Sequence, residues 1–202
     1  ISVAASATLQ ATVAQASKVS LGAGASFTMR DTAFNLDNYA DGDGATSVTA
    51  TAANGDDLSG LTLTNVDNIV VAAGASISVT VAQASKVSLG AGASFVVKDT
   101  ASNLNNYADG DSATSVTATA ANGDDLTSLT LTSTDTISVA ASATLQATVA
   151  QASKLSSGSG ASFSIIDTAS NLDNYADVDG GTSISETAGK EAVLSCVALT
   201  NI

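Results

Sequence analysis

Short runs of alternating apolar and polar residues punctuate the chain: Ser47-Val48-Thr49-Ala50-Thr51, Leu61-Thr62-Leu63-Thr64 and Ile77-Ser78-Val79-Thr80-Val81. Alternation with period two sends one set of side chains inward and the other outward, which predicts short β-strands. Between the runs lie turn formers such as Gly22-Ala23-Gly24, Asp41-Gly42-Asp43-Gly44 and Asn54-Gly55-Asp56-Asp57.

The pattern repeats. VAQASK begins at Val13, Val81 and Val149, DTA at Asp31, Asp99 and Asp167, and NYAD at Asn38, Asn106 and Asn174, always 68 residues apart. The repeat units are therefore 1–68, 69–136 and 137–202, one continuous array whose last unit diverges after about residue 182. Units one and two differ at 17 of 68 positions, and the segment from Ile1 to Lys18 returns unchanged at Ile137 to Lys154. Within a unit, the apolar anchors Val19, Leu36, Leu58, Ile69 and Val87 are spaced 17, 22, 11 and 18 apart. Four turns of about 17 residues per unit would fit, which predicts an all-β parallel solenoid of about twelve short coils. The alternative is three tandem small β-sandwich modules, for which each unit is short and no Trp or Cys pair marks a core.

Composition agrees with a narrow core. Of the residues, 45% are nominally hydrophobic but only 3% aromatic. The chain has 6 Lys plus Arg against 19 Asp plus Glu, a net charge of −13, and no His. That balance opposes nucleic-acid binding, which needs clustered cations on phosphate. No run of 18 apolar residues occurs, so no membrane insertion is expected.

Candidate chemistry is sparse. Without His, the commonest general base and zinc ligand are missing, and no Ser or Thr sits in a nucleophile motif, so no catalytic residue is assigned and the chain is not expected to be an enzyme. Cys196 replaces Gly60 and Ser128 of the earlier units and reads as a small core or surface residue. Paired acids recur at Asp41 and Asp43, Asp109 and Asp111, and Asp177 and Asp179, with Asp37 and Asp173 four residues earlier. Oxygens two residues apart in a Gly-bearing turn can ligate calcium, which takes six to eight of them. These six acids are the candidate metal ligands; a solvated turn is the competing reading, as it is for Asp56-Asp57 and Asp124-Asp125. Calcium is the one cofactor that enters.

Two further candidates are surface features. Thr49 and Thr51, followed by Thr62 and Thr64, would supply neighbouring rungs of an ice-binding face if the two runs stacked as adjacent strands. Tyr39, Tyr107 and Tyr175 occur once per unit and read as caps of the core beside a long turn, with a glycan or partner contact as the other option.

VTVAQASK, FVVKDTASNL and DGDDLxxLTLTxxDxI resemble the repeats of very large bacterial extracellular proteins: repeat-rich adhesins, surface-layer-like proteins and substrates of type I secretion. The resemblance covers all three units. It implies a structural role outside the cell or at its surface, as a stiff acidic spacer, a surface-layer element or a filament subunit. Its partners would be neighbouring repeats of a longer chain or further copies. It also implies calcium dependence, as in a calcium-dependent adhesin, although the full glycine- and aspartate-rich nonapeptide is not present.

Overall fold

Every described strand pairing is parallel, and the strands wind into a β-solenoid of about nine turns. The computed structural model describes residues 1–40, 44–172 and the backbone of 183–186. It divides into two compact units, Ile1–Val97 with Asp111–Thr114, and Lys98–Gly110 with Ser115–Ile202.

The first unit winds five coils. They carry β1 (Ser2–Val3), β2 (Thr8–Ala11) and the single helical turn α1 (Val13–Ala16); then β3 (Ser20–Leu21) and β4 (Ser26–Thr32); then β5 (Val48–Ala52). Two more coils carry β6 (Asn68–Val71), β7 (Ser76–Val79) and α2 (Val81–Ala84), then β8 (Val87–Leu89) and β9 (Ser94–Thr100). One sheet stacks β2, β4, β5, β6 and β8 in that order, while β1 pairs with β3 and β7 with the first half of β9.

The second unit repeats the plan with β10 (Val116–Ala120), β11 (Thr136–Val139), β12 (Thr144–Ala147), α3 (Val149–Ala152), β13 (Leu155–Ser157), β14 (Ser162–Asp167), α4 (Ala169–Leu172) and β15 (Ser183–Glu186). Here β11 lies between β10 and β13, and β14 between β12 and β15.

The coil count corrects the expected twelve. Each 68-residue repeat holds more than three coils but fewer than four, because one coil can carry more than one apolar anchor. Ile69 lies beside Ala50 and Val87 in the sheet, whereas Leu58 donates its N–H to Ser78 O at 2.8 Å on another face. The short interval between Leu58 and Ile69 is part of a coil.

Register shows the same thing from strand to strand. Ala11 lies beside Met29, Met29 beside Val48, and Thr49, the next residue along, beside Asn68. Three such steps fall short of Val79, which stands one repeat beyond Ala11, and the fourth, from Ile69 to Val87, passes it. Equivalent strands of successive repeats therefore do not stack in one column. β2 shares its sheet with β6, while its own repeat partner β7 starts a different one.

Inward positions form ladders of like size. Leu9 stacks on Phe27, Ile77 on Phe95, and Leu145 on Phe163. Phe27, Phe95 and Phe163 are each at most 2% exposed, so one aromatic per repeat joins the Ala, Val, Leu and Ile of the core. Burying each such side chain is worth about 1.5–3 kcal/mol.

Two expected runs behave differently. Thr80 and Val81 leave the strand: Thr80 caps α2, accepting from Gln83 N while the Gln83 side chain accepts from Thr80 N. This is the Thr-x-x-Gln capping box, visible in Thr-Val-Ala-Gln at three places but masked there by the alternation. Leu61–Thr64 is loop, not strand. Thr49 accordingly lies between Arg30 and Asn68, and Thr51 between Thr32 and Val70, so Thr62 and Thr64 are not the neighbouring rungs that an ice-binding array needs.

Candidate functional site

Carboxylates and amides are the conspicuous polar groups of the chain, and most of those described accept hydrogen bonds from backbone N–H groups. Asp31, at the end of β4, reaches one coil back to Val13 N (3.1 Å) and also takes Thr32 N (2.8 Å) and the Asn35 amide (2.7 Å). Asp167 holds Val149 N, Thr168 N and Asn171 in the same way at 3.0, 2.8 and 2.6 Å. Asp67 and Asp135 each bind the first N–H of the strand one coil earlier, Val48 N and Val116 N, at 2.8 Å. These bonds satisfy strand- and helix-end donors that would otherwise point at nothing.

The acidic turn has the same use. Asp56 accepts from Ala53 N, and Asp124 from Ala121 N, each at 2.8 Å. Asp125 accepts from Thr127 N and its hydroxyl. Asn54 and Asn122 take Ser76 N and Thr144 N of the next coil at 2.9 Å. Asp37 accepts from Thr62 N at 2.7 Å, and Asn105, its counterpart in the next repeat, accepts from Thr130 N at 2.8 Å. A neutral amide does the work of the carboxylate there, so the position needs an acceptor and not a charge.

Of the six candidate calcium ligands, Asp109 is exposed and Asp111 half-buried. Asp41, Asp43, Asp177 and Asp179 lie outside the described residues, as do Asp173, Tyr175 and Cys196. Among the described residues no three acidic, His or Cys side chains come together as a metal set. Tyr39 and Tyr107 are half-buried, and the backbone carbonyl of Tyr39 accepts from the Asn65 amide at 2.8 Å, which ties this turn to the next loop.

Two residue types that were not singled out in the sequence also join the coils. Buried Gln83 donates to Leu58 O (3.0 Å) and Leu61 O (3.1 Å) of the preceding coil, and Gln151 donates to Leu126 O and Leu129 O (2.8 and 3.1 Å). Lys86 Nζ donates to Leu63 O and Thr64 O, and Lys154 Nζ to Leu131 O and Thr132 O. Their signal was the invariance of VAQASK across the repeats. Beside each pair lies an equivalent recess, about 350 Å³ bounded by Leu61–Thr64, Thr80 and Lys86, and about 330 Å³ bounded by Leu129–Thr132, Thr148 and Lys154.

No family model, curated protein or solved structure matches the chain. The chemistry of these groups must therefore be read from their own geometry, which is that of brackets between coils.

The brackets set a pH dependence. Burial of the Asp31 carboxyl opposes its charge, but the Asn35 amide and the N–H groups of Thr32 and Val13 outweigh it and hold its pKa below the ordinary carboxylate value. The Thr127 hydroxyl and N–H do the same for Asp125 against slight desolvation. A carboxyl whose pKa is lower folded than unfolded adds stability above the unfolded value and loses it as pH falls through the folded one. Acidification also relieves repulsion in a chain of charge −13, but salt screens exposed charges beyond about 8 Å. In 0.15 M salt the urea midpoint is therefore expected to be level from pH 7 to 5 and to fall below about pH 4. A midpoint that rises on acidification would mean that repulsion, not capping, governs.

Proposed function

We propose that the protein is a non-catalytic structural repeat element of a secreted or cell-surface assembly: a stiff acidic spacer, surface-layer or filament component whose partners are further repeats. The observation that carries this reading is the recurrence of the bracket set. What each repeat carries forward is Gln, Lys, Asp and Asn side chains turned to the neighbouring coil's backbone. Even the Lys ammonium groups beside the two recesses are committed to carbonyls. Such a wall is extended by copying units, since each coil interacts with its immediate neighbours. The resemblance to bacterial extracellular repeats supports the placement outside the cell.

Antibodies raised against the folded protein are expected to label intact cells that make it, or their spent medium, without permeabilisation. Labelling that appears only after permeabilisation would overturn the assignment.

A further inference from the structure

We infer that Asn54–Gly55 and Asn122–Gly123 are covalent modification sites. Their asparagines deamidate when the coil stacked on them opens, and the isoaspartate that forms keeps the seam from closing again. This lies beyond the structural-element reading and holds wherever the protein resides.

Asn54 and Asn122 are the two asparagines of the sequence that precede glycine; the others precede Leu, Tyr, Val, Ile or Asn. A side-chain amide is attacked by the backbone nitrogen that follows it, and glycine, lacking Cβ, leaves that nitrogen unshielded. Gly55 N loses its proton and bonds to Asn54 Cγ, and Nδ2 leaves as ammonia. Water then opens the five-membered imide at either carbonyl. One opening gives aspartate. The other gives isoaspartate, whose main chain runs through Cβ and Cγ and is one carbon longer. The sum is amide plus water to carboxyl plus ammonia, with no oxidant or reductant.

In the folded coil one residue of the next coil holds both reacting groups. Gly55 N donates to Ser76 O at 2.8 Å, and Asn54 Oδ1 accepts from Ser76 N at 2.9 Å. Thr144 holds Gly123 N and Asn122 Oδ1 at the same two distances. Both asparagines and both glycines are exposed, so these bonds, not burial, restrain them. The turn itself uses the reactive pair. Asn54 supplies the acceptor for Ser76 N, and the φ of +85° at Gly55 and +87° at Gly123 favours glycine.

The two products differ in what they do to the seam. Aspartate at position 54 still offers Ser76 N an acceptor, as Asp37 and Asn105 do interchangeably at another turn. Isoaspartate adds a main-chain atom just ahead of the paired segment. That moves Gly55 N off Ser76 O and shifts Asp57, which bridges to Ser78 in parallel register. The bonds from Leu58 N to Ser78 O (2.8 Å) and from Ser78 N to Asp56 O (2.9 Å) depend on that register.

The test ages the protein in mildly alkaline buffer, folded or unfolded in urea, and follows both sites by peptide mass spectrometry. Both are expected to deamidate in urea, and at least about tenfold more slowly in the folded chain. The slowing at Asn54 is expected to match the exchange protection of the Gly55 amide, since both processes need Gly55 N to leave Ser76 O. Gln83→Leu removes bonds to Leu58 O and Leu61 O of the same seam. It is expected to speed deamidation and exchange at Asn54–Gly55, with Asn122–Gly123 of the same molecule unchanged. The aged fraction carrying isoaspartate at position 54 is expected to exchange its Ser78 amide faster, whereas Asn54→Asp keeps that amide slow. Equal deamidation rates in the folded and unfolded chains overturn the inference. So does an isoaspartate fraction whose Ser78 amide stays as slow as that of Asn54→Asp.

Discussion

Gln151→Leu is expected to destabilise the protein by about 2–4 kcal/mol, while the same change at Gln15 leaves stability within about 0.5 kcal/mol. Both residues stand at the same position of an identical segment, so propensity and local sequence cancel. They differ in what they touch. Gln151 is 5% exposed, donates to two carbonyls of the previous coil, and accepts from Thr148 N at 2.9 Å. Leucine fills a similar volume but takes the side-chain partner from Leu129 O and Thr148 N, at about 1–2 kcal/mol for each of these part-buried groups, while Leu126 O keeps its bond from Leu129 N. Gln15 is exposed and closes only the local capping box with Thr12. Urea midpoints of the two variants give the comparison. Equal losses would show that the glutamine acts only as a helix cap, and that its bonds to the neighbouring coil add nothing.

Gly90→Ala is expected to cost about 1–3 kcal/mol through overpacking. A Cβ at Gly90 would stand 2.7 Å from Ala73 N and 2.8 Å from Val71 O, both backbone atoms of the coil before it. Gly90 N itself donates to Val71 O at 3.0 Å, so the two chains cannot part without losing that bond. Gly22 and Gly158 repeat the approach at 2.9 and 2.8 Å, which makes the contact a property of the coil spacing. Gly92 is the control. Its φ of +71° is unfavourable for alanine by about 1–2 kcal/mol, but nothing lies within 4 Å. Exchange of the Gly90 amide separates the two: it is expected to accelerate in Gly90→Ala and to stay slow in Gly92→Ala. An unchanged Gly90 amide in the first variant would mean that the coils have room to spare.

Alternation made Val48–Ala52 and Ser76–Val79 legible as strands, because each places three or two apolar side chains on one face. The same alternation misled at Leu61–Thr64. There the backbone carbonyls are taken by the side chains of Gln83 and Lys86 from the next coil, so no ladder forms. No reading of four residues alone contains that partner. The coil count failed for a related reason: anchor spacing records how often the core is touched, whereas coil length depends on which face is touched. The acids were the hardest to read. An Asp in a Gly turn looks the same whether it faces a cation or an N–H, and Asp67 acquires its meaning only when register brings Val48 beside it. One clue was legible. Asn105 in place of Asp37 already said that charge was dispensable at that turn.

The mismatch between the repeat and a whole number of register steps gives copy number a second meaning. A motif placed once per repeat does not form a straight row; it precesses around the coil, as β2 and β7 do by falling in different sheets. Gaining or losing one copy therefore changes the face on which a later motif falls as well as its place along the array. Two ligands grafted one repeat apart would point in different directions. Two grafted at register partners, such as Thr8 and Ser26, would point the same way, which makes the azimuth of display a quantity that can be chosen by counting along the chain.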